Sequence, residues 1–270
     1  MDRDKKRDVF TVRLRHLKTI MKERKYSEAL LEVKKLMVKN PRSALLYEAL
    51  GEIFLGQKKY EKALESYKKC IAEPSLKLNS YLNIGLIKGK LNDFEGSIES
   101  YKKALIIEPN HTGALNNLGN IYERIGEYEK AISHIKKVIL IKPEHTGAYN
   151  NMAVALRKSG NIHGAIDNYK KALEIQPKNF SILNKLGLIY MDNGQVEEAV
   201  FSFTKALESN PKSVIVLCNL ADAFVKTERI EEAVSLLKSA KRINNAFVPI
   251  YSRLGNIFKK IEKYKLSALY

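Results

Sequence analysis

A 34-residue period runs through this chain and constrains its fold more than any other feature. One grid of this period places glycine at Gly51, Gly85, Gly119, Gly187 and Gly255. A second grid holds alanine or serine in all eight places between Ala29 and Ser267. In frame, seven full repeats begin at residues 10, 44, 78, 112, 146, 180 and 214. We therefore divide the chain into a basic N-terminal extension (1–9), seven repeats (10–247) and a partial eighth repeat (248–270).

Each repeat has the pattern of two helices. In repeat 4, Leu115, Leu118, Gly119 and Tyr122 are spaced i, i+3, i+4 and i+7, which predicts one apolar helical face that ends near Gly126. A second helix fills the rest of the repeat. One helix pair cannot bury its apolar face alone, so the repeats must stack on one another. The predicted fold is all-α, an α-solenoid of helix-turn-helix repeats.

Two segments carry a family signature. Residues 116–143 (NNLGNIYERIGEYEKAISHIKKVILIKP) and 183–211 (LNKLGLIYMDNGQVEEAVFSFTKALESNP) resemble the tetratricopeptide repeat, with its Leu-Gly, Tyr, Gly-x-Tyr, Ala, aromatic, Ala and Pro positions. The resemblance covers residues 10–270. The tryptophan that is common early in that repeat is absent throughout. The resemblance implies a right-handed superhelix whose first helices line a concave groove, and a role in binding other proteins.

Asparagine recurs at the position two residues before the glycine grid. At about 100° per residue this position points away from the glycine and towards the groove. It holds Asn83, Asn117, Asn151 and Asn219, with Lys185 as an interruption. These residues resemble the asparagine ladder that grips substrate chains in O-linked N-acetylglucosamine transferases. The alternative is that asparagine is simply tolerated there as a polar surface residue.

The position before the ladder argues against one known mode of recognition. Chaperone-type tetratricopeptide repeats place the lysine of their carboxylate clamp three residues before the grid glycine. Here that position holds Asn116, Asn150 and Asn184, which we assign to the groove instead. We therefore do not expect this chain to recognise a C-terminal carboxylate through a carboxylate clamp.

A line of basic residues lies two helical turns further along the same face. It contains Lys90, Arg124, Lys158 and Lys226. Together with the amides it predicts binding of an acidic or phosphorylated extended segment, because charge complementarity raises the association rate and selects the sign of the partner. The alternative is that these residues merely complement the helix dipole. The Lys-Lys pairs of the second helices, such as Lys102-Lys103, are expected to be solvated on the convex side.

Composition excludes several classes of function. The net charge of +17 is concentrated at the ends: residues 1–43 hold 14 basic and 6 acidic residues. Basic ends around a nearly balanced middle make nucleic acid an unlikely partner. No apolar run is long enough to span a bilayer and no secretory signal is present, so we expect a cytoplasmic protein without membrane insertion.

Metal, redox and cofactor chemistry are not expected either. The five histidines lack metal-ligand spacing, and His111 and His145 occupy equivalent places in near-identical repeats. We expect Cys70 to be buried and Cys218, near the groove, to be the more accessible thiol. With no phosphate loop and no catalytic cluster, the chain is predicted to be non-enzymatic and to bind no cofactor.

The leading functional prediction is a protein–protein interaction scaffold that binds an extended, acidic partner in its groove. The alternative is a substrate-recruiting arm of a larger transferase whose catalytic domain is absent here. The partial eighth repeat carries Tyr264, Leu266 and Leu269 without a polar capping helix, which predicts self-association through residues 246–270 or a longer natural chain.

Overall fold

The structure, a computed structural model, describes the backbone of residues 2–267 and the side chains of residues 10–259, 261 and 262. Its described part contains fifteen helices and no strand. The helices are α1 (Asp2–Lys22), α2 (Tyr26–Lys39), α3 (Ala44–Gly56), α4 (Tyr60–Cys70), α5 (Pro74–Lys90), α6 (Phe94–Ile107), α7 (Thr112–Arg124), α8 (Tyr128–Ile141), α9 (Thr146–Lys158), α10 (Ile162–Ile175), α11 (Phe180–Asp192), α12 (Val196–Ser209), α13 (Val214–Lys226), α14 (Ile230–Ile243) and α15 (Pro249–Ser267). The prediction of an all-α repeat fold is confirmed.

Odd-numbered helices are the first helices of the repeats and even-numbered helices are the second ones. Helices α3, α7, α9, α11 and α13 begin at the residues where the 34-residue frame starts a repeat. Helix α5 begins four residues earlier, at Pro74, because a proline at the first helical position is already set for the helix. Helix α1 begins at Asp2, so the backbone of the basic N-terminal extension continues into the first helix of repeat 1. The side chains of that extension lie outside the described residues.

The glycine grid exists because an aromatic or aliphatic side chain of the second helix fills the space beside it. A Cβ atom at Gly51 would lie 2.8 Å from the ring of Tyr67, and one at Gly187 would lie 2.5 Å from the ring of Phe203. Both rings are buried. The close approach of the two helices in a repeat therefore depends on the missing side chain.

The turn between the two helices of a repeat has a left-handed residue at a fixed place. Glycine takes this conformation at Gly126, Gly160 and Gly194, with φ of 84°, 89° and 77°. In the other repeats a residue with a side chain adopts φ of about 60° at the same 34-residue register: Arg24, Lys58, Asn92 and Glu228. The backbone thus keeps one turn geometry even where the sequence lacks the glycine that favours it.

The chain forms two compact units, Met1–Lys137 and Val138–Tyr270. In the first unit, buried residues of α1, α2 and α3 form one apolar cluster around Leu17, Val33 and Ile53. In the second, a continuous cluster runs from Ala153 on α9 to Ile257 on α15. Within each unit the helices pack in chain order, as expected for a solenoid.

First helices of consecutive repeats also pack against one another. Contacts of this kind join α3 to α5 and α5 to α7 in the first unit, and α11 to α13 and α13 to α15 in the second. We call the surface that these helices share in each unit the first-helix face. It is where the sequence predicted the groove residues.

The two equivalent histidines are helix caps. The Nδ1 atoms of His111 and His145 each accept a hydrogen bond from a backbone N–H three residues later, of Ala114 and Ala148, at 3.0 Å. Each bond satisfies one of the unpaired N–H groups that every helix has in its first turn. A structural role therefore accounts for their recurrence.

One prediction about the cysteines is wrong. Cys70 is buried as expected, but Cys218 is also buried, with only 1% of its surface exposed. Burial raises the pKa of both thiols, that of Cys70 to about 11. Cys218 belongs to the apolar cluster of the second unit, where the first helices on either side of α13 pack against that helix.

The predicted apolar end of repeat 8 is described only in part. Val248, Tyr251 and Phe258 are exposed there. The side chains of Tyr264 and Leu266, and the whole of Leu269, lie outside the described residues.

Candidate functional site

The predicted ladder residues lie on the first-helix face and are all half-buried. This applies to Asn83 and Asn117 in the first unit and to Asn151 and Asn219 in the second. The groove positions beside them are half-buried too: Asn116, Asn150, Asn184 and Lys185. Half-burial leaves these polar groups accessible to a ligand while their neighbours hold them in place.

In the first unit the ladder amides hydrogen-bond to other residues of the protein. The Nδ2 atom of Asn83 donates to the backbone oxygen of Asn79 at 3.0 Å and to its Oδ1 at 3.1 Å. Asn79 in turn donates to Glu48 on the preceding first helix. The side chain of Asn117 hydrogen-bonds to Tyr101; burial raises the pKa of Tyr101 to about 12, and this bond opposes the rise. Asn117 therefore joins α7 to α6, whereas Asn83 is linked to α3 only through Asn79.

In the second unit the polar groups link consecutive repeats at a fixed offset. The Nδ2 atom of Asn219 donates to Oδ1 of Asn184 at 2.8 Å, and Nζ of Lys185 donates to Oδ1 of Asn150 at 2.8 Å. Both pairs are 35 residues apart in sequence. The Nδ2 atom of Asn150 in turn donates to Oδ1 of Asn151 at 2.9 Å. The position that was predicted to interrupt the ladder is thus part of its hydrogen-bond network.

Lys185 is a half-buried cation that pairs with an amide. Desolvation first, and the charge of Arg157 second, lower the pKa of Lys185. Arg157 itself lies 3.4 Å from Asp192, on the exposed surface. Among the described residues, no carboxylate forms an ion pair with Lys185. A partly desolvated charge of this kind favours an anionic ligand, because an opposite charge would stabilise its protonated form.

The residues of the predicted basic line differ in the contacts that their side chains make. Lys90, Lys158 and Lys226 are exposed in the last turns of their helices. Arg124, in contrast, donates to the backbone oxygen of Gly89 and to Oδ1 of Asn92, both at 2.8 Å, and its guanidinium lies 4.6 Å from the ring centre of Phe94. Arg124 therefore holds the turn of the preceding repeat in addition to any role in binding.

Two features of this face escaped the sequence analysis. Arg253 and Asp222 form an ion pair at 2.8 Å between the last two first helices, α13 and α15. A cavity of about 300 Å³ lies between α1 and α3, with Leu14, Lys18 and Glu48 in its lining. The signal for the cavity was present, because repeat 2 has Ala49 in the ladder position, where other repeats have a larger polar side chain.

The described residues contain no group of three or more histidine, cysteine, aspartate or glutamate side chains that could hold a metal ion. None of the described helices is long and apolar enough to cross a membrane.

Family models match most of the chain. A model described as TPR repeat matches residues 85–126 and 155–194, and three described as Tetratricopeptide repeat match 21–75, 113–145 and 190–254. The chain belongs to the tetratricopeptide repeat family. Tetratricopeptide repeats bind protein or peptide partners, and membership supports a protein-interaction scaffold. No curated protein sequence matches the chain.

Solved structures share the tetratricopeptide repeat fold. A tetratricopeptide repeat protein from Parabacteroides merdae is 18% identical, with a TM-score of 0.70 over 92% of this chain and 98% of that one. A MamA protein is 27% identical, with a TM-score of 0.56 over 63% of this chain and 93% of that one. YrrB, described as a TPR protein with an unusual peptide-binding site, is 21% identical, with a TM-score of 0.55 over 70% of this chain and 98% of that one.

Proposed function

We propose that this tetratricopeptide repeat protein is a non-enzymatic scaffold whose first-helix face binds an extended, acidic segment of a partner protein. The observation that carries the proposal is the environment of Lys185. Its ammonium group is half-buried, is hydrogen-bonded to the amide oxygen of Asn150 and has the positive Arg157 close enough to lower its pKa. A carboxylate or phosphate of a partner would supply the missing counter-charge.

The surrounding amides suit the backbone of an extended segment. Each asparagine side chain has two N–H donors and an oxygen with two lone pairs. Asn219 uses one donor on Asn184, and Asn150 uses one donor on Asn151. The hydrogen-bonding capacity that remains can serve peptide N–H and C=O groups. YrrB, a protein of the same fold that is described as having a peptide-binding site, supports peptide binding by this chain.

Three model peptides of equal length test the proposal: alternating Glu-Ser, Gln-Ser and Lys-Ser chains with a fluorescent label. We expect the Glu-Ser peptide to bind most tightly in fluorescence anisotropy. Lys185→Gln should weaken its binding at least fivefold, because a charge-assisted contact is worth roughly 1.5–3 kcal/mol. Lys178→Gln, which removes an exposed lysine from a turn, is the matched control and should change affinity less than twofold. Equal binding of all three peptides would refute the acidic preference.

A second part of the proposal concerns self-association through residues 246–270. The exposure of Val248 (73%) and Phe258 (53%) near the end of the chain supports it, because such side chains favour burial. Sedimentation velocity should show a larger species as protein concentration rises, and Phe258→Glu should remove it. A monomer at every concentration would refute this part while leaving peptide binding untouched.

We also propose a cytoplasmic location. Both cysteines are free, which is the usual state of thiols in a reducing compartment. A fluorescent fusion followed by cell fractionation tests the assignment, and recovery in a secreted fraction would refute it.

A further inference from the structure

The C-terminal ends of the second helices of repeats 1 to 4, with the turn that follows in repeat 2, share a pattern that the scaffold function does not use. In each, a lysine is followed four residues later by an aliphatic residue. The pairs are Lys34 and Val38, Lys68 and Ala72, Lys102 and Ile106, and Lys136 and Leu140. Repeats 5 and 6 have Glu174 and Glu208 at the aliphatic position. Repeat 7 has Arg242 there, so this register changes from an apolar to a charged residue along the chain.

Three of these four aliphatic side chains are among the most exposed large apolar groups in the described structure. Val38 is 82% exposed, Ile106 is 80% exposed and Leu140 is 72% exposed. Since a charged residue is accommodated at the same register in later repeats, the fold does not require an aliphatic one. An exposed aliphatic residue that recurs without a packing role indicates contact with something outside the chain.

Lysines flank each of these side chains. All of Lys34, Lys35, Lys102 and Lys103 are exposed. Lys35 and Lys103 each reach a glutamate one turn earlier, at 3.8 and 2.6 Å. In the described part of the chain, Lys34, Lys68 and Lys102 form no ion pair. One unpaired lysine thus accompanies the aliphatic position in each repeat of the first unit.

We propose that this set of residues in the first unit binds the surface of an anionic lipid bilayer. We call it the lysine–aliphatic edge, and it consists of Lys34, Lys35, Val38, Lys68, Lys69, Ala72, Lys102, Lys103 and Ile106. The lysines would contact anionic headgroups while the aliphatic side chains insert at the boundary of the acyl region. Lysine suits this arrangement because its long apolar stem can lie along the interface with its charge in the headgroup layer.

The pattern fits a lipid surface better than a protein partner. Protein interfaces are built around a contiguous, well-packed centre that is rich in aromatic residues and depleted in lysine. The lysine–aliphatic edge is instead rich in lysine, and its aliphatic positions alternate with lysine pairs. A bilayer accepts isolated side chains without needing complementary pockets. Its negative surface potential also complements the excess of basic residues in 1–43.

Vesicle sedimentation tests the proposal with the full chain. The probes are vesicles of phosphatidylcholine with about 30% phosphatidylserine, and vesicles of phosphatidylcholine alone. We expect binding to the anionic vesicles, weaker binding as salt shortens the Debye length, and little binding to the neutral ones. V38E/I106E should lower the partition coefficient at least tenfold, because it removes the two large aliphatic side chains of the edge and adds two negative charges. Glutamate is native at this register, so the circular dichroism spectrum and melting temperature should be retained.

Two further variants make the result specific to this edge. F201E/I215E also replaces two exposed apolar residues by glutamate and causes the same change in net charge, but in the second unit. It should change vesicle binding less than twofold. K34Q/K68Q/K102Q should lose the preference for anionic over neutral vesicles.

Three results would overturn the proposal. One is equal binding to neutral and anionic vesicles, and another is full binding by V38E/I106E. The third is no binding to the anionic vesicles; a dimer of the wild-type chain that V38E/I106E abolishes would then assign the edge to a second copy. None of these results depends on Lys185 or on the acidic peptide, so the proposed function stands or falls separately.

Discussion

Asn219 donates a hydrogen bond from Nδ2 to Oδ1 of Asn184 at 2.8 Å, and the two side chains belong to consecutive repeats. Lys185 makes the equivalent bond to Asn150. A residue chosen from sequence as a ligand-binding group therefore also joins one repeat to the next. Its substitution has to be judged by its effect on stability as well as on binding.

The first prediction follows from this pair. Asn219→Ala and Asn184→Ala should each destabilise the chain by about 1 kcal/mol, and a double-mutant cycle should give a coupling energy of about 0.5–1.5 kcal/mol. Urea unfolding provides the measurement. Asn256→Ala, on the exposed surface of α15, is the control for the change in helix propensity and should not destabilise. A coupling energy of zero would mean that the amides do not hold the repeats together.

A second prediction distinguishes Arg124 from the other basic residues of its line. Arg124→Ala removes two hydrogen bonds to the preceding turn and the contact with Phe94, so we expect a loss of about 2 kcal/mol. Lys226→Ala, at the same register and exposed, should stay within about 0.5 kcal/mol of wild type. If both variants unfold at the same urea concentration, the contacts of Arg124 contribute nothing to stability.

The third prediction uses two glycines of one grid. A Cβ atom at Gly187 would lie 2.5 Å from the ring of Phe203, so Gly187→Ala should destabilise by about 1–3 kcal/mol. A Cβ atom at Gly255 would meet nothing within 4 Å, so Gly255→Ala should stabilise by up to about 1 kcal/mol through helix propensity. Thermal unfolding of both variants measures the contrast. Phe203→Leu combined with Gly187→Ala should recover stability, because repeat 7 pairs Ala221 with Leu237 at the same positions.

The fourth prediction concerns alkaline pH. Burial raises the pKa of the Cys70 thiol from its ordinary value of 9.0 to about 11. Between these values the unfolded chain releases the thiol proton and the folded chain keeps it, so stability falls as pH rises. The loss is complete above about pH 11 and amounts to at most about 3 kcal/mol. Below pH 9 this group has no effect on the pH dependence.

Cys70→Ala isolates that contribution. Alanine stands at the equivalent place in later repeats, as in Ala104 and Ala172, so the variant should fold. Urea midpoints measured from pH 8 to pH 11 should fall less steeply than those of wild type. Identical slopes would show that the thiol does not carry the pH dependence.

The sequence was sufficient for the repeat and its helices because both depend on a period that is visible in the residues themselves. The ladder positions lie on the predicted helices for the same reason. Cys218 was misjudged because the angular argument treats one helix at a time. Its burial depends on the first helices that pack on either side of α13, which are α11 and α15. The ion pair between Arg253 and Asp222 is close enough to Cys218 for both charges to affect the pKa of its thiol.

Hydrogen bonds between residues of different repeats were the other feature that the sequence did not predict. The hydrogen bond between Asn219 and Asn184 spans 35 residues, one more than the period, and no local pattern marks it. The contacts of Arg124 were hidden for a similar reason, because they reach Gly89 and Asn92, 35 and 32 residues earlier in the chain. Such contacts require the stacked neighbour, which a single repeat does not contain.

The offset of the hydrogen bonds between repeats has a consequence for how this chain can lengthen. Repeat 6 contributes to the hydrogen bonds with both neighbouring repeats: Asn184 accepts from repeat 7 and Lys185 donates to repeat 5. In a tandem copy of that repeat, the lysine of the added copy would lie opposite the asparagine of the original. Each added copy would therefore form the same hydrogen bond with its neighbour. A duplication whose length is not a multiple of 34 residues would separate donor from acceptor. The hydrogen bond between consecutive repeats is therefore kept only when the chain gains or loses whole repeats.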